Sequence, residues 1–127
     1  MSSKKKILIV DDERKICTIL GNHLKKLYGV EVAYDGQQAL QKVEEFQPDC
    51  ILLDYKLPVM DGPEVIKRVK SKYPNIEIIM ISANGDIGNF SRCFLEGASD
   101  FVVKPIDLSN LEDRVLYAVK KHHKPTE

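Results

Sequence analysis

Five side chains in this 127-residue sequence have the types and spacing to do chemistry together: Asp11 and Asp12 (with Glu13 next in the chain), Asp54, Ser82 and Lys104. Each stands at the end of a short apolar run. Singly they have ordinary explanations: Asp12 as a helix cap, Asp54 as a turn residue, Ser82 in a loop, Lys104 as a surface charge. Together they do not. Carboxylates within a few ångströms of one another repel by roughly 1 to 4 kcal/mol per pair. They protonate or splay apart unless a cation neutralises them. Lys104 supplies one positive charge, and a divalent ion would supply more. Oxygen-only donors suit a hard cation, and a partly hydrated Mg²⁺ that also touches phosphate fits best. An acidic pair, a separate Asp, a hydroxyl and a Lys around Mg²⁺ have the composition of a phosphoryl-transfer site, where positioning and charge neutralisation dominate. Asp54 is the candidate nucleophile, able to carry an aspartyl phosphate. Mg²⁺ would bridge it and the incoming phosphoryl group, Lys104 would pair with a phosphate oxygen, and Ser82 would hydrogen-bond to another.

What brings these residues together is an alternation of strand and helix patterns. Apolar, β-rich segments recur at Lys6 to Val10, Val30 to Tyr34, Cys50 to Leu53, Ile76 to Ile81 and Asp100 to Val103. Between them apolar residues return at helical spacing. The first helix carries Ile16, Leu20, Leu24 and Leu27, with Ile19 beside them. The second carries Ala39, Leu40, Val43 and Phe46, the third Val65, Ile66 and Val69, and the fifth Leu108, Leu111, Val115, Ala118 and Val119. The fourth, Ile87 to Glu96, is weaker: Phe90, Phe94 and Leu95 support it, while Gly88 costs helix propensity. Asp12, Asp35, Asp86 and Asp107 stand where N-caps are wanted, and Pro63 suits a first helical turn. Gly29 and Gly97 fall where helices should stop, and Pro48 and Pro74 lie just ahead of strands. The first, third and fourth strands are apolar on both faces, as in a parallel sheet covered on both sides. Five strand–helix units make a doubly wound α/β domain, whose strand ends meet along one ligand-binding edge.

Composition narrows the function classes. Lys plus Arg and Asp plus Glu both number 19, so the formal charge is zero, which argues against a general nucleic-acid or membrane-surface binder. The hydrophobic fraction of 43% is too high for disorder, and 127 residues suit one core. No apolar run exceeds five residues (Val115 to Val119), so no segment reads as a membrane span or signal peptide. Cys17, Cys50 and Cys93 are odd in number and widely spread, as expected of buried reduced thiols in a cytoplasmic protein. His122 and His123 point in different directions on a helix and read as a solvated end, as do Lys4 to Lys6 and Lys120 and Lys121.

Four stretches carry a family resemblance: Ile7-Leu-Ile-Val-Asp-Asp-Glu13, Leu52-Leu-Asp-Tyr-Lys-Leu-Pro-Val-Met-Asp-Gly62, Met80-Ile-Ser-Ala83 and Gly97-Ala-Ser-Asp-Phe-Val-Val-Lys-Pro105. In order and spacing they resemble the receiver domains of two-component response regulators, over almost the whole chain. The resemblance implies a flavodoxin-like (βα)5 fold with five parallel strands in the order 2-1-3-4-5 and helices on both faces. It implies one receiver domain over residues 1–127, with a core of about 5–121 and short polar tails. Asp54 would be the phosphoacceptor, and Asp11 and Asp12 the acidic pair for Mg²⁺ (or Mn²⁺), with Asp12 the direct ligand and Asp11 acting through water. The backbone carbonyl of Lys56 would be a further ligand. Lys104 would pair with phosphate ahead of Pro105, a proline often cis in the family. Ser82 and Phe101 would form the switch pair, and Pro58, Asp61 and Gly62 would shape the loop after the acceptor. The family tunes phosphoryl lifetime at the positions held here by Lys56 and Asn84.

The implied function is to accept a phosphoryl group from a sensor histidine kinase or histidine phosphotransfer protein. Drawing the Ser82 hydroxyl toward the phosphoryl group would free space for Phe101, repacking the face of helix four, strand five and helix five. Such a domain is a signalling element that assists its own phosphorylation and dephosphorylation, not an enzyme acting on other substrates. The output is either a partner protein or a domain beyond residue 127, and receivers of this kind often dimerise through the switch face. No direct nucleic-acid or membrane contact is expected. An Asp-nucleophile phosphohydrolase would want a second Asp two residues after the first, where this chain has Asp54-Tyr55-Lys56. A nucleotide-binding flavodoxin-like protein would want a Gly-, Ser- or Thr-rich loop where Asp11-Asp12-Glu13 stands. A receiver-like binding module that is never phosphorylated would not need so complete a site.

Overall fold

The computed structural model describes residues 4–83 and 87–121, and for Ile87 and Asn89 the backbone alone. Five strands alternate with five helices: β1 (Lys6–Val10), α1 (Arg14–Leu24), β2 (Gly29–Ala33), α2 (Gly36–Phe46), β3 (Cys50–Asp54), α3 (Gly62–Lys72), β4 (Glu77–Ser82), α4 (Ile87–Glu96), β5 (Asp100–Val103) and α5 (Leu108–Lys120). All strands pair in parallel, in the order β2-β1-β3-β4-β5. The chain is thus the doubly wound α/β domain that the alternating pattern predicts, with the flavodoxin-like strand order that the resemblance implies.

Alternate strand residues feed two separate cores, as the two-residue period of a strand requires. Leu8, Val10, Ile51, Leu53, Ile78, Met80 and Phe101 face α2, α3 and α4. Ile7, Ile9, Cys50, Leu52, Ile79, Ile81 and Val102 face α1 and α5. Every residue of β3 and β4 is buried, which explains why these strands lack a polar face. The order reverses between β1 and β3, so the crevice at their C-terminal ends falls between Asp11 and Asp12 on one side and Asp54 on the other.

Several local expectations need correction. Helix α1 begins at Arg14, and its N-cap is Glu13, which makes no side-chain cap bond; Asp12 is not the cap. The carboxylate that satisfies this turn is that of Asp11, which accepts from the Glu13 N–H at 2.9 Å. Helix α1 stops at Leu24, so Leu27 lies past its end and is 56% exposed, and Ile19 is half exposed. Gly29 opens β2 instead of ending a helix; its N–H donates to the Lys5 carbonyl, pulling the strand one residue earlier than the apolar run suggested. Strand β4 starts at Glu77, not Ile76. On α4 the apolar residues divide: Cys93 is buried, whereas Phe94 and Leu95 point outward. Lys6 is no solvated end: it opens β1 and lies over the Phe46 ring. Asp35 and Asp107 cap α2 and α5, accepting from the N–H groups of Gln38 and Asn110. Asn84, Asp86, His122 and His123 lie outside the described residues. All three cysteines are buried free thiols.

Candidate functional site

An open cleft of about 740 Å³ lies at the C-terminal ends of the strands, lined by Asp12, Glu13, Asp54 to Pro58, Ser82, Ala83 and Lys104. Four strands deliver these groups. Asp11 and Asp12 follow β1, Asp54 ends β3, Ser82 ends β4, and Lys104 follows β5. Backbone hydrogen bonds lock the strand ends together. The Tyr55 N–H donates to the Ile81 carbonyl at 2.8 Å, and the Lys104 N–H to the Ser82 carbonyl at 2.7 Å. These bonds fix the relative positions of Asp54, Ser82 and Lys104 through the sheet.

Asp11, Asp12 and Asp54 each place a carboxylate oxygen within 4.8 Å of the others. Asp11 and Asp54 are buried, and Asp12 is exposed at the mouth. The Lys104 ammonium sits among the acids, 3.4 Å from Asp11 Oδ2, 3.4 Å from Asp54 Oδ1 and 3.6 Å from Glu13 Oε1. Burial and the neighbouring Asp11 charge push the Asp54 carboxyl up to about 6, although Lys104 pulls the other way. Asp11 is raised as well, by burial, against the Glu13 N–H and Lys104, which favour its charge. Burial lowers the Lys104 ammonium, but Asp54 and Asp11 outweigh it and hold the amine protonated. One lysine thus leaves three acids under-neutralised, and the residual negative charge favours a cation. The donors are all oxygen and the spacing is short enough for one ion to touch more than one of them. These features fit Mg²⁺.

The loop after β3 completes the rim. Gly62 is required here by close approach: a Cβ would lie 2.6 Å from Met80 Cε and 3.0 Å from Tyr55 backbone atoms. Its N–H donates to the Tyr55 carbonyl at 2.9 Å, tying the start of α3 to the end of β3. Asp61 caps α3, accepting from the Glu64 N–H at 3.0 Å, and also reaches Arg92 of α4 at 3.5 Å. Between Pro58 and Asp61, Val59 is fully exposed with φ +69°, a backbone conformation costly for a β-branched residue. No sequence signal marked it, because turns of this kind are recognised by Gly or Asn. Nor did the sequence mark Glu13 as a partner of Lys104. The Lys104–Pro105 peptide is cis.

Ser82 is buried beside the cleft, and Phe101, on the neighbouring strand, is buried under α4 against Phe90. The structure therefore brings Asp11, Asp12, Asp54, Ser82, Lys56, Pro58 and Lys104 to one cleft. Phe101 lies in the core behind it, and Asp61 and Gly62 at the base of α3.

Comparison with known proteins gives one answer. The chain is similar to the receiver domain protein of Methanospirillum hungatei JF-1, described as CheY-like, at 28% identity over 95% of this chain and 98% of that one, with a TM-score of 0.92. It resembles the chemotaxis response regulator CheY4 of Vibrio cholerae at 30% identity, covering 91% and 99% of the two chains with a TM-score of 0.85. The BeF₃-activated DrrB receiver domain superposes with a TM-score of 0.86 at 27% identity, covering 92% of this chain and 98% of that one. The sequence profile of the response regulator receiver domain matches residues 7–116, nearly the full span of the sheet and its helices, and the chain belongs to that family.

Proposed function

We propose that this receiver accepts a phosphoryl group on Asp54 from a phosphohistidine of a sensor histidine kinase or histidine phosphotransfer protein. The observation that carries the reading is the Lys104 ammonium held 3.4 Å from both Asp11 and Asp54 inside a three-carboxylate cluster. That is an amine already placed where a phosphoryl oxygen on Asp54 would need a counter-charge. An Asp54 oxygen attacks phosphorus, the P–N bond to the donor histidine breaks, and its electron pair returns to the imidazole. Asp11, Asp12, Asp54 and the Lys56 carbonyl would hold Mg²⁺, or Mn²⁺ in its place. When bound, the ion neutralises the acids and draws charge from the phosphoryl oxygens.

The residues of the chain do the rest. Asp54 ends a fully buried strand, so its carboxylate is presented without reorganisation. Lys104 exchanges its carboxylate contacts for a phosphoryl oxygen, and the Ser82 hydroxyl donates to another. That movement couples the site to Phe101. The exposed apolar side chains Phe94, Val103, Leu116 and Tyr117 on α4, β5 and α5 support this face as the surface read by a partner, by an output domain or by a second receiver. Pro58, Asp61, Gly62 and Pro105 hold the backbone around the cleft. The unit acts as a signalling domain that promotes its own dephosphorylation, with residues 1–127 as one receiver. Buried free thiols and a neutral composition support a cytoplasmic setting. Among the described residues no helix is long and apolar enough to cross a membrane.

Incubation with acetyl phosphate and Mg²⁺ should give a retarded band on a phosphate-affinity gel, lost with EDTA and absent from Asp54→Asn. Full labelling of Asp54→Asn would overturn the acceptor assignment.

A further inference from the structure

Glu13 holds a place that neither capping nor packing explains. It is the N-cap of α1, yet its side chain makes no cap bond, and the Asp11 carboxylate takes its N–H at 2.9 Å. The side chain is 63% exposed, so it adds little to the core. Its carboxylate instead reaches into the cleft, with Oε1 3.6 Å from the Lys104 ammonium that also serves Asp11 and Asp54. The adjacent cation, Arg14, lies over the Tyr34 ring, 4.0 Å from its centroid. Among the described residues Lys104 is therefore the ion-pair partner of Glu13. The carboxylates that gather closely enough for a metal ion are those of Asp11, Asp12 and Asp54. Glu13 stands outside that group, on the wall of the same cleft.

We infer that Glu13 is a specificity-determining residue, a fixed negative charge on the cleft wall that disfavours free, dianionic phosphodonors. The inference rests on the reading of Asp54 as the acceptor. Two effects act in the same direction. The carboxylate repels the incoming phosphoryl oxygens, and it competes with them for Lys104. Both effects scale with the charge of the donor and weaken as salt screens them. Toward a cation the sign reverses, so the charge that disfavours the donor favours Mg²⁺. A protein donor offsets the repulsion with contacts remote from the reacting group, and a small free donor has none to offer. The cleft thereby favours a phosphohistidine carried on a protein over a small acyl phosphate.

Two small donors of different charge test this. Acetyl phosphate is a dianion at neutral pH, whereas phosphoramidate, protonated on nitrogen, carries one net negative charge. Attack by Asp54 breaks the P–O bond of the first and releases acetate; it breaks the P–N bond of the second and releases ammonia. At low ionic strength and Mg²⁺ saturating for each variant, Glu13→Gln should be labelled by acetyl phosphate about three- to tenfold faster than the wild type. With phosphoramidate the gain should be about two- to threefold, and Glu13→Lys should exceed Glu13→Gln with both donors. At about 0.5 M salt the gains of Glu13→Gln should fall below about twofold. Titrated with Mg²⁺ alone and followed by ¹⁵N NMR, Glu13→Gln should bind the ion about three- to tenfold more weakly. Equal gains with the two donors, gains indifferent to salt, or rates unchanged in both variants overturn the inference. So does an Mg²⁺ affinity that is unchanged or higher. If the wild type takes no label on Asp54 from either donor, the acceptor reading is what fails. The Mg²⁺ titration still decides the charge effect in that case, because it needs no phosphoryl transfer.

Discussion

Helices α3 and α4 both follow strands that end in the cleft, yet they are held very differently. Helix α3 has a side-chain cap from Asp61, Pro63 in its first turn, Lys70 and Lys72 in its last, and Val65, Ile66 and Val69 buried in the core. Gly62 lets it approach the end of β3. Helix α4 buries Cys93 and half-buries Phe90, turns Phe94 and Leu95 to solvent, and is tied to the α3 cap by the exposed Arg92–Asp61 pair. The helix beyond the acceptor strand is part of the rigid frame. The helix beyond the hydroxyl strand fully buries one described side chain and leans on α3 and on the Phe101 ring of the next strand. A site that must keep its geometry while changing a surface needs this division.

The contrast can be broken by truncating one apolar side chain on each helix. Ile66→Ala should cost about 2–4 kcal/mol in urea unfolding, and Leu95→Ala less than about 0.5 kcal/mol. Equal costs would remove the basis of the comparison. The charge built into the rigid frame comes next. Burial raises the Asp54 carboxyl from 3.8 to about 6, so the folded state binds that proton more tightly than the unfolded chain does. On this group's account, stability of the metal-free protein is greatest at low pH and falls as pH rises through that window. Asp54→Asn should therefore stabilise the metal-free protein by about 1–2 kcal/mol at pH 7.5, allowing for screening through the open cleft. The gain should vanish near pH 4 and shrink when Mg²⁺ stabilises the wild type; a pH-independent gain would point to packing instead.

Smaller effects separate the loop from its helix. Val59→Gly should stabilise by about 1 kcal/mol by relieving the positive φ, with unchanged labelling by acetyl phosphate. Asp61→Ala should cost about 1 kcal/mol through the lost cap of α3, whereas Arg92→Ala, which removes only an exposed pair, should cost about 0–0.5 kcal/mol. If Arg92→Ala costs as much as Asp61→Ala, α4 is anchored more firmly than its burial indicates.

Much of this arrangement was legible in the sequence, for identifiable reasons. Strands buried on both faces leave runs such as Cys50 to Leu53, and chemical groups placed directly after them must converge at one edge. Patterns failed where a local rule met a tertiary one. Asp12 has the composition of a cap, but the Asp11 carboxylate takes the available N–H. Leu27 keeps the helical period, but the helix has already ended. Phe94 and Leu95 look like core residues because apolar side-chain type alone does not say which of several neighbouring helix positions faces inward. Glu13 beside Lys104, Arg92 on Asp61 and Phe90 on Phe101 are contacts between distant segments, and no local spacing encodes them.

The central claim is that Asp54 carries the phosphoryl group. An acyl phosphate is reduced by borohydride to an alcohol, so treatment after acetyl phosphate and Mg²⁺ should turn the modified aspartate into homoserine. Peptide mass spectrometry should find homoserine at position 54, dependent on Mg²⁺ and lost in Lys104→Ala. Homoserine at Asp11, Asp12 or Asp61 with Asp54 intact would contradict the account.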